Sequence, residues 1–155
     1  MEALIDSLKK LEDSTTYFLE ALQGKTLELV IDSQSEEQSG YACMIKRVVK
    51  LHFQGGAHPM LYCESNLYKS ALTPQEYDLL TNSLTPIGKV FTQLNDGTVI
   101  TKKNITVTTG NDGRIAAIMN VNGGMFWKKE YEYWVGSRHI GFIIEYFSEE
   151  SLKRQ

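Results

Sequence analysis

Cysteine, histidine and proline are scarce in this chain of 155 residues, which contains two, three and three of them. Cys43 and Cys63 lie within predicted strands and form no C-x-x-C motif, so we expect two reduced, buried thiols and no disulfide framework. No histidine has metal-ligand spacing to another histidine or to a cysteine. The sequence therefore predicts no metal site.

Long apolar runs and an excess of basic residues are also missing. The amino-terminal MEALIDSLKKLED is too charged for a signal peptide, and no apolar run approaches the length of a membrane span. The 16 lysines and arginines are outnumbered by 19 acidic residues, so binding to nucleic acid through a basic surface is disfavoured. Short basic pairs at positions 46–47, 102–103 and 128–129 are interpreted as solvated strand faces. We expect a cytoplasmic protein with neither a nucleic-acid nor a membrane partner.

What the sequence does contain is enough apolar material for one compact domain. Hydrophobic residues make up 42 % of the chain and aromatic residues 10 %. A chain of this length buries about 70 % of its unfolded surface when it folds. There is no internal repeat or low-complexity tract, so residues 1–155 are expected to form a single domain.

Hydrophobic periodicity predicts helices at the start of the chain and mostly strands after them. Helices are predicted at 2–12, at Thr16–Gln23, from the capping box at Thr73-Pro74 onward, and at Lys89–Leu94. The polar segment 33–40 is expected to be a flexible loop. The predicted strands are Thr26–Asp32, Tyr41–Phe53, Met60–Tyr68, Thr98–Thr108, Arg114–Val121, Phe126–Val135 and His139–Phe147. Because short turns join most of these strands, the pattern indicates an α+β fold with a mainly antiparallel sheet.

Arg47 is the unexpected residue of the strand Tyr41–Phe53. Side chains alternate between the two faces of a strand, so Arg47 shares the apolar row with Ile45 and Val49. A guanidinium on the core side needs an anionic partner to offset its desolvation. That partner is either another residue of the protein or a ligand.

Glu145 raises the matching question near the end of the chain. In the strand HIGFIIEYF it shares a row with Gly141, Ile143 and Phe147, where a carboxylate must be paired, hydrogen-bonded or protonated. Three interpretations stay open: Arg47 and Glu145 form a buried salt bridge, one face is misassigned, or both residues line an enclosed polar pocket. In an apolar pocket we expect Glu145 to have a raised pKa.

A proline–glycine corner, Thr85-Pro86-Ile87-Gly88, precedes the predicted helix at Lys89–Leu94. Such a corner frees backbone N–H groups at the start of a helix and can hold an anion there. The same residues also serve as an ordinary turn. The pattern leaves both roles open.

Several short motifs follow one another in a characteristic order. They are LEDSTTYFLEALQGK near the start, Arg47 in its strand, ESNLYKSAL after a hairpin, TPIGKVF, and GFIIEYF near the end. In this order they resemble the chorismate pyruvate-lyase family over nearly the whole chain, and most of all a branch with Ala-Glu-Ser where this chain has Cys63-Glu64-Ser65. The resemblance implies an antiparallel sheet of about six strands with two or three helices on one side, and a small internal ligand cavity.

The resemblance also implies an activity, the cofactor-free conversion of chorismate to 4-hydroxybenzoate and pyruvate, which feeds quinone synthesis. By motif, Arg47 corresponds to the arginine that holds the ring carboxylate, and Glu145 to the glutamate facing the oxygen at the other end of the ring. The backbone around Ser14–Thr15 and around Ile87–Gly88 corresponds to the amides that complete the carboxylate site. The implied partner is a small aromatic or cyclohexadiene carboxylate, bound by a monomer or a homodimer.

Departures from the family leave the ligand open. Members of the closer branch place arginines in the strand before the last hairpin, where this chain has Glu130 and Glu132, which are interpreted as a solvated face. Lys89 and Arg138 are the remaining cations that could bind a second carboxylate. Two alternatives to the lyase follow. One is a non-catalytic binder of a small aromatic acid, as in ligand-sensing domains of this fold, and the other is an enzyme acting on a different carboxylate.

Overall fold

The structure is a computed structural model that describes residues 1–123 and 125–153. Antiparallel strands form its centre. The strands in these residues are β1 (Leu27–Ser39), β2 (Ala42–Phe53), β3 (Leu61–Tyr68), β4 (Ile100–Asn111), β5 (Met125–Val135) and β6 (Arg138–Phe147). They form one sheet in the order β1-β2-β3-β6-β5-β4, and every neighbouring pair is antiparallel. The predicted α+β class with a six-stranded antiparallel sheet is confirmed.

Six helices accompany the sheet in the same described residues. They are α1 (Glu2–Lys10), α2 (Thr15–Gln23), α3 (Pro74–Asn82), α4 (Ile87–Leu94), α5 (Gly113–Met119) and α6 (Glu149–Lys153), with a 3-10 turn at Lys69–Ala71. The capping residues explain several of these boundaries. Ser14 accepts the N–H of Tyr17 at the start of α2, Gly24 ends that helix at a φ of 64°, and Thr73 and Glu76 form the capping box of α3. Among the described residues no helix is both long and apolar enough to cross a membrane.

The main core lies on one face of the sheet, which we call the inner face. Helices α1, α2 and α6 pack over one half of it, where Leu8, Leu19 and Phe147 are buried. Helices α3 and α4 pack over the other half through Leu80 and Phe91. Burial of this apolar surface holds the helices on the sheet. The two groups of helices enclose the space between them on the inner face.

The predicted strand Arg114–Val121 is wrong, because these residues form α5, on the outer face of the sheet. The side chain of Asp112 accepts the N–H groups of Arg114 and Ile115, and Asn120 ends the helix at a φ of 54°. Ile115, Ala116 and Met119 pack on Tyr62 and Tyr146, which point away from the inner face. The spacing of these three residues fits one helix face, and Asp112 acts as a helix cap where the sequence pattern indicated a turn.

The predicted loop at 33–40 is also wrong over most of its length. Strand β1 continues to Ser39 and pairs with β2 as far as Ser39 opposite Ala42, with a bulge between Ile31 and Ser33. Most side chains in this stretch are exposed, and Gln34 and Glu36 form hydrogen bonds to Thr81 and Tyr77 of α3. Backbone pairing needs no apolar side chains, so hydrophobic alternation could not detect this extension.

Candidate functional site

An internal cavity of about 50 Å³ lies between the inner face of the sheet and the first turns of α2 and α4. All six strands contribute to its wall. The lining residues are Ser14, Thr15, Thr16, Leu29, Arg47, Val49, Leu51, Leu61, Cys63, Ser65, Pro86, Ile87, Gly88, Lys102, Tyr131, Tyr133, Ile143 and Glu145. The sequence predictions Arg47, Glu145, Ser14, Thr15, Ile87 and Gly88 are all among them. This is a finding about position, and their roles as ligand contacts stay a prediction.

Arg47 lies on the wall without a partner for two of its nitrogens. Only 2 % of the residue is exposed, and its Nε and Nη2 donate to no acceptor among the described residues. Burial lowers the pKa of Arg47 to about 10, while the thiol of Cys63 acts in the opposite direction. The guanidinium is still charged at neutral pH. The cavity therefore contains a buried cation whose hydrogen-bonding groups are unused.

Glu145, in contrast, is fully occupied by side chains of the protein. The hydroxyl of Thr15 lies 2.9 Å from both carboxylate oxygens, and the hydroxyl of Tyr131 donates to Oε1 at 2.8 Å. The ammonium of Lys102 lies 3.4 Å from Oε1 and donates to Thr15 Oγ1 at 2.6 Å. Among the described residues, the ion pair of Glu145 is with Lys102 and not with Arg47.

The expected rise of the Glu145 pKa is wrong. Burial acts to raise it, but Lys102, Lys129 and the hydrogen bonds from Tyr131 and Thr15 outweigh burial and lower the pKa below its ordinary value. At neutral pH the side chain is therefore a carboxylate. A group in this state accepts hydrogen bonds and is not a proton donor.

Both lysines responsible for this shift were expected in solvent. Lys102 is 4 % exposed and Lys129 is fully buried, so that interpretation is wrong for each. Lys129 donates to the carbonyl oxygens of Leu8 and Leu11 at 2.6 and 2.7 Å, at the end of α1 where the helix dipole favours a cation. The sequence contained one signal of this burial. Lys129 alternates with Tyr131 and Tyr133 along the strand, so it shares their buried face.

The first turns of α2 and α4 touch each other at the cavity. A Cβ atom at Gly88 would lie 2.4 Å from Oγ of Ser14, so any larger residue would displace the hydroxyl that caps α2. The leading N–H groups of an α-helix have no partner inside the helix and carry a partial positive charge. Two such helix starts therefore face the same enclosed space as Arg47.

Cys63 and Tyr133 add neutral polar groups to the wall that the sequence analysis did not assign to a site. Burial raises the pKa of the Cys63 thiol and of the Tyr133 hydroxyl, so both are protonated at neutral pH. The Tyr133 hydroxyl has no hydrogen-bond partner within the described part of the chain. It is thus available to a bound molecule.

The other charged residues considered from the sequence lie outside the cavity wall. Glu130 and Glu132 are half-exposed on the outer face of β5, which confirms their solvated side. Lys89 pairs with Glu20 at 2.8 Å. Arg138 pairs with the carboxylate of Glu76 at 2.8 Å, so neither cation is free to hold a ligand in the cavity. No cluster of three or more histidine, cysteine, aspartate or glutamate side chains in the described residues is arranged to hold a metal ion.

Comparison with known proteins gives similarity of fold. No protein-family model matches the sequence, and no curated protein matches it. The effector domain of PhnF from Mycobacterium smegmatis is similar over 89 % of this chain and 90 % of its own, with a TM-score of 0.68 and 12 % identity. The fold is similar to that of GntR effector domains, which share the chorismate lyase-like fold.

Two further structures of GntR-family regulators show the same likeness. The ligand-binding domain of a regulator assigned to this family from Bordetella bronchiseptica has a TM-score of 0.57 at 12 % identity, covering 81 % of this chain and 85 % of its own. A regulator from Enterococcus faecalis has a TM-score of 0.60 at 10 % identity, covering 79 % and 94 %. At these identities the likeness concerns the fold, and the chemistry has to be argued from the cavity.

Proposed function

We propose that this protein binds a small organic acid in the internal cavity, with the ligand carboxylate on the guanidinium of Arg47. The observation that carries this proposal is the pair of unpartnered nitrogens of Arg47, Nε and Nη2, in a residue that is 2 % exposed. Those two nitrogens form the edge of the guanidinium that suits a bidentate pair with a carboxylate. A bound acid would supply the negative charge that Arg47 lacks among the described residues.

The backbone supports the same ligand chemistry. The residues at the starts of α2 and α4 line the cavity together with Arg47, and helix starts favour anions. The similar structures support ligand binding in general terms, since one is described as a ligand-binding domain and another as an effector domain. Neither likeness identifies the acid.

The size of the cavity limits the acid. The cavity measures about 50 Å³ in its closed form, which is small for a ligand site. Acids such as acetate or pyruvate fit this space. An aromatic acid such as 4-hydroxybenzoate requires the wall to open. The wall would open at the contact between α2 and α4, because these are two separate helices.

Thermal unfolding and calorimetric titration with acetate, pyruvate, benzoate and 4-hydroxybenzoate test the proposal. An acid that binds the folded state stabilises it by about 2.7 kcal/mol at one hundred times its dissociation constant. We expect such stabilisation in the wild type and its loss in Arg47→Met. Arg114→Met is the matched control, because Arg114 is an exposed arginine outside the cavity. Equal binding by Arg47→Met, or no binding of any acid by the wild type, would contradict the proposal.

A chorismate pyruvate-lyase remains the second candidate because Arg47 and Glu145 line one cavity, as that activity requires. Against it stands the state of Glu145, an ionised carboxylate already bound by Lys102, Thr15 and Tyr131. Incubation with chorismate separates the two functions, with 4-hydroxybenzoate followed by chromatography and pyruvate by a coupled assay. Equimolar products that are lost in Arg47→Met and Glu145→Gln would establish the lyase. Binding without products is the result that we expect.

A further inference from the structure

The cavity wall contains an unequal number of positive and negative groups. Its titratable residues are Arg47, Cys63, Lys102, Tyr131, Tyr133 and Glu145. Burial raises the pKa of the thiol and of both tyrosine hydroxyls, so these three are neutral at neutral pH. Two cations and one carboxylate remain, and together they leave a single positive charge on the wall.

The two cations are not equivalent. Lys102 lies 3.4 Å from Glu145 and 2.6 Å from Thr15, which itself contacts both oxygens of Glu145. This arrangement commits Lys102 to neutralising a residue of the protein. Arg47 has no such partner among the described residues, so the uncompensated charge is on Arg47.

Lys129 is a further buried cation, close enough to Glu145 to lower the pKa of that carboxyl, but it adds no charge to the wall itself. Lys129 is not part of the cavity wall, and its ammonium is bound by two backbone carbonyls at the end of α1. The amides at the starts of α2 and α4 are dipoles without net charge. In the proposed binding mode they contact the same carboxylate as Arg47 does.

We propose that Glu145, through its ion pair with Lys102, sets the charge of the ligand, and that the cavity selects acids carrying one negative charge over acids carrying two. This inference rests on the proposed function. A first carboxylate neutralises Arg47. A second carboxylate in the same enclosed space finds the other cation of the wall, Lys102, already paired with Glu145. An unpaired buried charge is strongly disfavoured.

This assignment gives Glu145 the part of a specificity-determining residue. Glu145 does not contact the ligand. It affects ligand selection by neutralising the charge of Lys102. Glu145→Gln keeps an oxygen and an amide for Thr15 and Tyr131 but releases Lys102, so the wall then carries two positive charges. Lys102→Met leaves Arg47 opposed by Glu145 and a wall with no net charge. The double variant returns to a single positive charge, that of Arg47.

Pairs of acids that match in size and differ in charge test this inference. Pyruvate and oxalate have the same number of non-hydrogen atoms and differ by a methyl group in place of an oxygen. For a larger ligand, 4-acetylbenzoate and terephthalate form the same kind of pair. Titration calorimetry at neutral pH gives the ratio of the two affinities for the wild type, Glu145→Gln, Lys102→Met and the double variant. Glu130→Gln, on the outer face of β5, is the control for a change of overall charge.

We expect the wild type to prefer the singly charged acid by at least about tenfold, which corresponds to about 1.4 kcal/mol. Glu145→Gln should lower that preference at least about tenfold, Lys102→Met should weaken binding of the singly charged acid, and the double variant should regain it. The double variant also keeps the test decisive if Glu145→Gln alone fails to fold, because it buries no unpaired lysine.

The possible failures are distinguishable. If the wild type binds acids through Arg47 but shows no charge preference, or if folded Glu145→Gln prefers the singly charged acid as strongly as the wild type does, the inference about Glu145 is overturned and the proposed function stands. The same follows if a folded double variant binds the singly charged acid as weakly as Lys102→Met does. If the wild type binds neither member of either pair and none of the other acids, both are overturned.

Discussion

Replacing Arg47 by methionine should make the ligand-free protein more stable. Methionine has a similar length and no charge, so it fills the same space without a desolvated cation. Replacing even a buried ion pair by apolar residues of similar volume is often stabilising by about 1–4 kcal/mol. Arg47 is an extreme case, because it is 2 % exposed and two of its nitrogens are unpartnered.

The structure gives the size of the effect. The fall of the Arg47 pKa from its ordinary value to about 10, caused by burial, corresponds to about 3 kcal/mol against the charged form in the folded state. The pKa is lower in the folded state, so this penalty is present at every pH below about 10 and disappears only as the unfolded chain also loses its proton. Water in the cavity recovers part of the penalty. We expect Arg47→Met to raise the free energy of unfolding by about 1–3 kcal/mol at pH 7.

Urea unfolding at pH 7, followed by tryptophan fluorescence and far-ultraviolet circular dichroism, measures this change. Arg114→Met makes the same chemical replacement at an arginine whose side chain is 60 % exposed, and we expect a change within about 0.5 kcal/mol there. The decisive pattern is a more stable Arg47→Met protein that no longer responds to organic acids. An Arg47→Met protein less stable than Arg114→Met would refute the reasoning, because Arg47 would then stabilise the protein itself.

Two further predictions concern the framework around the cavity. Burial acts to raise the pKa of Glu76, but hydrogen bonds from Arg138, Thr73 and Asn95 hold it at about 2, so stability that is full above about pH 4.5 should fall as the pH drops toward 2. Glu76→Gln should cost about 2–4 kcal/mol at pH 7 and remove most of that acid dependence in urea titrations, and an unchanged pH profile would contradict this. Gly88→Ala should cost about 1–3 kcal/mol because its Cβ would lie 2.4 Å from Oγ of Ser14. Adding Ser14→Gly should restore most of the loss, and a Gly88→Ala protein as stable as the wild type would show that the helices separate freely.

The strand period was sufficient to predict the faces of Arg47 and Glu145. Because successive side chains alternate, one charged residue in an apolar row identifies a buried charge without any knowledge of the neighbouring strands. The structure buries Arg47 and Glu145 on the inner face, as that argument requires. Helix caps at Ser14 and Thr73 were equally local and equally informative.

The partners of these charges could not be predicted in this way. Lys102 reaches Glu145 from β4, which lies two strands away from β6 in the sheet. Nothing local to Lys102 indicates that proximity, because it depends on how the sheet twists and on where α2 places Thr15. The same limit applies to Lys129, whose acceptors are backbone carbonyls that end a helix at the other end of the chain.

The two buried charges differ in what they imply about function. Glu145 is compensated by Lys102, Thr15 and Tyr131, so the protein is complete around it without any ligand. Arg47 is uncompensated, so the folded chain holds it in an unfavourable state that an added anion relieves. A buried ion pair can be explained by the protein alone, whereas a buried unpaired guanidinium beside a cavity cannot. For this reason stability and ligand binding should change in opposite directions at Arg47, and that opposition separates a binding residue from a structural one.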